Sequence, residues 1–247
     1  MTKVISILSG KGGEGKTSIS LKISYALSKQ NKKVLILDFD HTNRSDYFSI
    51  LHKKPIPQSK EQSPIEHRIQ LLMKNVYIVS YADILECKGN SASFWQNHYH
   101  IFQDIERIKT EYDVILIDTA INFSEASFSF AKASDEIYII LSYSAPSLTK
   151  AYQLLKELNS KHSIYKVNVI VNNVSSYKEG SAIFKKLLWL THNYLEITLQ
   201  LSACIPNNLS LQKNICKADR TYSYCSKLAK QVSLQKTTAK QQGYLKL

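Results

Sequence analysis

The chain has 247 residues, 44% hydrophobic and 21% charged, which excludes a disordered polymer and suits one sizeable α/β core. No run reaches the about 18 consecutive apolar residues of a membrane-spanning helix. The 32 Lys and Arg against 20 Asp and Glu leave a net charge of +12, which favours anionic partners (nucleotide, nucleic acid or a lipid surface) without choosing among them.

The opening MTKVISILSG is too short for a secretory signal and has no small-residue cleavage site, so the product is expected to stay in the cytoplasm. Lys3–Ser9 is predicted as the first strand, and Lys16–Gln30 as the first helix. Lys33–Asp38 follows as a second strand. Residues 49–74 are polar and contain Pro55, Pro57 and Pro64; they read as a surface connection with one helix at Pro64–Lys74. Further strands are expected at Val76–Tyr81, Val114–Asp118, Ile137–Ser142 and Val167–Val171, with an edge strand at Ile197–Ile205. Helical patterns lie at Trp95–Lys109, Leu148–Ser160, Glu179–Asn193 and Leu209–Ala218. A final helix carries the stripe Tyr224, Leu228 and Val232 to about Gln235. The strands are near-continuous Val/Ile/Leu runs, as required of strands buried on both faces. Their alternation with helices predicts a doubly wound, mostly parallel α/β sheet with helices on both faces. Residues 1–235 form the domain, and 236–247 a tail. Cys87, Cys204, Cys216 and Cys225 contain no C-x-x-C pair and read as buried or idle thiols. His98 and His100, two apart on a helix, point to different faces and make no metal pair.

Glycine is the most informative count. Of seven glycines, four fall within one short loop: Gly10, Gly12, Gly13 and Gly15. Gly10-Lys11-Gly12-Gly13-Glu14-Gly15-Lys16-Thr17 fits G-x-x-x-x-G-K-[ST], with a strand before it and a helix after it. The glycines let consecutive N–H groups turn inward around phosphate oxygens, and the helix adds its positive end through Lys16, Thr17 and Ser18. Lys16 neutralises β- and γ-phosphate charge, and the Thr17 hydroxyl is a Mg²⁺ ligand. Asp38 and Asp40 end the second strand, and Asp118 ends the run VILI. Ligands of open α/β sheets sit at the carboxyl ends of strands, so these carboxylates are placed to face the loop. Asp118 fits the Walker B role of holding Mg²⁺ through a water.

A second lysine, Lys11, precedes the glycine pair. The run K-G-G-x-G-K-T resembles the deviant Walker A motif of the MinD/ParA family of dimerising ATPases. DFD at 38–40, YDVILIDTA at 112–120, SYSAPSLTKAYQLLKEL at 142–158 and VIVNNV at 169–174 resemble further segments of that family. The stretch 171–208 is similar to the FlhG (FleN) branch, which controls flagellar number and placement. The resemblance implies a homodimer closed by two ATP molecules with Mg²⁺. In it Lys11 reaches the partner's nucleotide, Asp40 positions the attacking water, and Asp38 supports the metal and lysine arrangement. Asn172 reads the adenine edge, and the Pro206 loop closes over the base. It also implies a protein partner such as an FlhF-type GTPase and a peripheral position on the inner membrane face. The sequence departs from the branch in three places. Asp118-Thr119-Ala120-Ile121-Asn122 has no glycine, His41–Asp46 replaces small and apolar residues, and Asn207–Asn208 follows the Ile205–Pro206 turn. Gly243-Tyr244-Leu245-Lys246-Leu247 is similar to a short membrane-contact ending, and a frayed terminus fits it equally. Three functions stay open: a flagellar placement switch, a ParA-like partitioning ATPase on non-specific DNA, and a nucleotide-binding scaffold with little hydrolysis.

Overall fold

The computed structural model describes residues 1–39, 46–51, 65–80, 101–119, 124–207 and 220–234. Eight strands form one sheet: β1 (Lys3–Ser9), β2 (Val34–Asp38), β3 (Gln70–Met73), β4 (Val76–Ser80), β5 (Val114–Asp118), β6 (Glu136–Ser142), β7 (Lys166–Val174) and β8 (Thr198–Pro206). Their order is β3-β4-β2-β5-β1-β6-β7-β8, and every pairing is parallel except β3 with β4. The helices are α1 (Lys16–Ser28), α2 (Asp46–Ile50), α3 (Ile65–Arg68), α4 over 101–108, α5 (Glu125–Ala133), α6 (Ala145–His162), α7 (Tyr177–Tyr194) and α8 (Arg220–Leu234).

Alternate strand residues feed two opposite faces. Ile5 and Ile7 of β1, Val34 and Ile36 of β2 and Leu116 of β5 pack with Ile19, Ile23 and Leu27 of α1 and with Leu228 and Val232 of α8. Leu35, Leu37, Ile115 and Ile117 point the other way, against Ile105 of α4 and Phe130 of α5. Farther along that second face, Ile139, Leu141, Val169 and Val171 pack with Leu155 and Leu158 of α6 and Ile183 and Leu187 of α7. Helices therefore cover both faces, as expected of continuous apolar strands. At about 25 cal/mol per Å² of apolar surface removed from water, these two layers are the main favourable term of the fold. Helix α1 packs on the sheet beside α8, and Ser20 and Ser24 are among its buried residues. The Ser24 hydroxyl is satisfied within the helix, donating to the Ser20 carbonyl at 2.8 Å.

Two elements differ from the sequence reading. The helix expected over Pro64–Lys74 is only the four-residue α3, and Gln70–Met73 is an antiparallel edge strand. A tight turn at Lys74–Asn75, with Asn75 at φ 60°, folds β3 back on β4 and buries Leu72. Helix α5 was not anticipated; Ser124 caps it, its side chain accepting from the Ser127 N–H. The edge strand expected at Ile197–Ile205 is β8, parallel to β7. The segment Leu209–Ala218, the histidines at 98 and 100, Cys87, Cys216 and the tail lie outside the described residues. Cys204 and Cys225 are buried and in no disulfide.

Candidate nucleotide site

Strand register brings the site together. Asp38 at the end of β2 stands opposite Asp118 at the end of β5, and Asp118 stands opposite Ile7 of β1, just before the loop. On the other side, Asn172 of β7 pairs with Ile205 of β8, and Val174 with Pro206. All these residues sit at carboxyl ends of parallel strands, around the crevice where the strand order reverses.

The loop from Gly10 to Gly15 is built for close approach. A Cβ at Gly10 would lie 2.5 Å from the backbone of Lys150 in α6. Gly15 has φ 92°, and a Cβ there would lie 2.5 Å from Asn172 Nδ2. Gly15 also occupies the N-cap of α1 and brings no side-chain cap. Helices α5, α6 and α7 are instead capped by Ser124, Ser144 and Ser176, each accepting from the N–H three residues on. The first N–H groups of α1 thus lack the side-chain acceptor those helices have, beside the positive end of the helix dipole.

The side chains around this loop form several short hydrogen-bonded groups. Lys16 is buried, and its Nζ donates to Ser9 Oγ at 3.2 Å; Ser9 Oγ donates to the Lys11 carbonyl at 2.9 Å. Asn172 Nδ2 donates to the Glu14 carbonyl at 2.8 Å, tying β7 to the loop. Thr17 Oγ1 donates to Asp118 Oδ2 at 2.9 Å, and Tyr47 Oη donates to the same oxygen at 2.6 Å. Thr119, next along, anchors to the Ile7 carbonyl through both its N–H and its hydroxyl. Burial first, then the charges of Asp118 and Asp38, push the Tyr47 hydroxyl well above its ordinary range, so it stays a donor.

Of the residues expected from sequence, Lys16, Thr17, Asp38 and Asp118 converge, with Asp38 and Asp118 both buried. Gly12, Gly13 and Ser18 belong to the loop and the first turn of α1. Lys11 is exposed, and its side chain is not part of its own hydrogen-bonded cradle. Asn172 and Pro206 are neighbours at the far rim, both half-buried. Asp40 lies outside the described residues. Ser9 and Tyr47 were missed; Tyr47 reaches Asp118 across 71 residues, and no local pattern marks it.

Among the described residues no group of three His, Cys, Asp or Glu could hold a metal by itself. Two buried carboxylates in register and a threonine hydroxyl offer hard oxygen donors. That set fits Mg²⁺, which keeps several waters and takes its remaining ligands from phosphate.

A family model described as AAA domain matches residues 2–168. The antiactivator FleN of Pseudomonas aeruginosa is 30% identical over 224 residues, covering 89% of this chain and 79% of the relative. The flagellum site-determining protein YlxH of Helicobacter pylori is 28% identical, covering 87% of this chain and 73% of the relative. Among solved structures, the septum site-determining protein MinD of Pyrococcus horikoshii, complexed with Mg-ADP, superposes with a TM-score of 0.69. Its identity is 21%, with 95% of this chain and 97% of that chain covered.

Proposed function

The chain belongs to the AAA-domain family, as a P-loop protein of the MinD/ParA type related to FleN, and from that membership we propose that it is an ATP-hydrolysing dimer switch for placement or number of flagella. The observation that carries the reading is the side-chain-uncapped start of α1 behind a glycine loop, with buried Lys16 and the Thr17–Asp118 pair beside it. YlxH is named a flagellum site-determining protein, and its 28% identity over 87% of this chain supports the process.

In this reading the loop N–H groups bind the β-phosphate, and Lys16 leaves Ser9 for the β/γ oxygens. When bound, Mg²⁺ would supply positive charge beside the transferred phosphoryl group. Thr17 and Asp118 would hold it, with Asp38 alongside and Tyr47 fixing the Asp118 carboxylate. Asp40 orients the attacking water. Asn172 and Pro206 line the base. Exposed Lys11 reaches across to the nucleotide of a second copy, where its charge acts as an arginine finger does. ATP would therefore close the homodimer and hydrolysis would open it.

The test is phosphate release together with light scattering in ATP and ADP. Wild type dimerises in ATP and turns over slowly. Lys16→Gln loses binding; Asp40→Ala binds ATP and dimerises without hydrolysis; Lys11→Ala binds ATP and stays monomeric. Unchanged turnover in Lys16→Gln overturns the site. Among the described residues no helix is long and apolar enough to cross a membrane. From the likeness to YlxH and MinD we propose a cytoplasmic protein with peripheral contact to the inner membrane face. The net charge of +12 favours one second reading, a partitioning ATPase on non-specific DNA.

A further inference from the structure

We infer that Glu14 is a built-in brake on nucleotide occupancy, a negative charge set inside the phosphate loop that weakens binding in proportion to the charge of the ligand; this rests on the loop being the nucleotide site. Glu14 is the one acidic residue between β1 and α1, and no other precedes Asp38 in the chain. Glu14 is only 3% exposed. Both carboxylate oxygens are buried with no hydrogen-bond partner among the described residues. The groups around the loop that could answer it do not. Lys16 Nζ donates to Ser9, Lys11 is exposed, and the Asn172 amide donates to the Glu14 main-chain carbonyl, not to its side chain.

A buried carboxylate normally acquires a cation or several donors. Here it stands in a loop whose other features all attract anions: two lysines, backbone N–H groups and a helix N-terminus. Its charge cancels half of the lysine charge in the loop. Buried charges are weakly screened, so the repulsion acts at physiological ionic strength. Because the repulsion scales with phosphate charge, ATP suffers more than ADP, and ADP more than AMP. Such a loop holds the single chain largely empty, so that occupancy depends on further cations, as a second copy's Lys11 would supply.

The experiment is calorimetric titration of the full chain with ATP, ADP and AMP, each with Mg²⁺ and in EDTA. Glu14→Gln keeps the shape and removes the charge; Glu14→Met keeps the volume and guards against an unexpected amide contact. Both variants are expected to bind ATP on the order of 10-fold more tightly than wild type, with a smaller gain for ADP and the smallest for AMP. Wild-type ATP binding that matches both variants overturns the brake and leaves the nucleotide site standing. An equal gain for all three nucleotides also overturns it, since a change in loop shape, not charge, would then be responsible. Absence of ATP binding in wild type and both variants overturns the nucleotide site and the brake with it.

Discussion

At Asp118 two hydroxyls converge on one carboxylate oxygen, Thr17 at 2.9 Å and Tyr47 at 2.6 Å. Thr17 is a direct candidate for the metal; Tyr47 acts only through Asp118 and is a positioning residue. Tyr47→Phe keeps the buried ring and removes one hydrogen bond to a charged acceptor, so about 1.5–3 kcal/mol of stability is expected to go, read by urea unfolding. The Mg²⁺ concentration that half-saturates nucleotide binding should rise about 10-fold, a change that a purely structural role would not produce. Tyrosine ionisation gives a second expectation. Burial, then Glu111, then Tyr77 raise the Tyr112 hydroxyl to about 12, and burial with neighbouring carboxylates also raises Tyr47 and Tyr138. The unfolded chain ionises these groups near pH 10 and the folded chain does not. Their stabilising contribution is thus fully present below pH 10 and is lost as pH rises toward 12 and beyond. Urea midpoints measured from pH 8 to 12 should hold level and then fall; a level curve to pH 12 contradicts it.

The strand β1 is fastened to its neighbours by a buried ion pair as well as by its ladder. Lys3 Nζ lies 2.6 Å from Glu136 of β6, with both side chains about nine-tenths buried, and it also donates to the Val232 carbonyl of α8 at 3.0 Å. Lys3→Met strands the Glu136 carboxylate and should cost about 3–5 kcal/mol in denaturant unfolding; Lys3→Met with Glu136→Leu should recover much of it. Elements of this kind were unevenly legible in the sequence. The central strands were plain because Val34–Asp38 and Val114–Asp118 are buried throughout and read as unbroken apolar runs. The phosphate loop was plain because its chemistry is local. Helix α5 was hidden because Ala126, Phe128 and Phe130 alternate with serines at a strand-like period of two. The fold resolves this by sending Phe128 and Phe130 into two different apolar layers on the same side of the sheet. Strand β3 was hidden because Gln70–Met73 shows no alternation, and its pairing depends on the turn at Asn75. Tyr47 and Ser9 were hidden because their roles exist only once distant strands are in register.

For the molecule as a whole, the excess of Lys and Arg sets how it meets its surroundings. Co-sedimentation with anionic vesicles in ATP and ADP, at rising salt, separates the two biological readings. Pelleting that needs ATP, weakens with salt and disappears on removal of residues 236–247 is the outcome expected of the placement switch. Retention on DNA with no vesicle binding favours the partitioning reading. The strand order carries a consequence of another kind. β1 and the start of the phosphate loop sit in the middle of the sheet, yet both strands that flank β1 come from far downstream, and the Val4 N–H meets the Asp135 carboxylate across 131 residues. During synthesis, β1 must therefore wait for β5 and β6 before it is held on either side. The newborn chain acquires its phosphate cradle only after β6 has been translated, so the nucleotide cannot template the folding of β1 on its own and can stabilise only a sheet that is already closed around it.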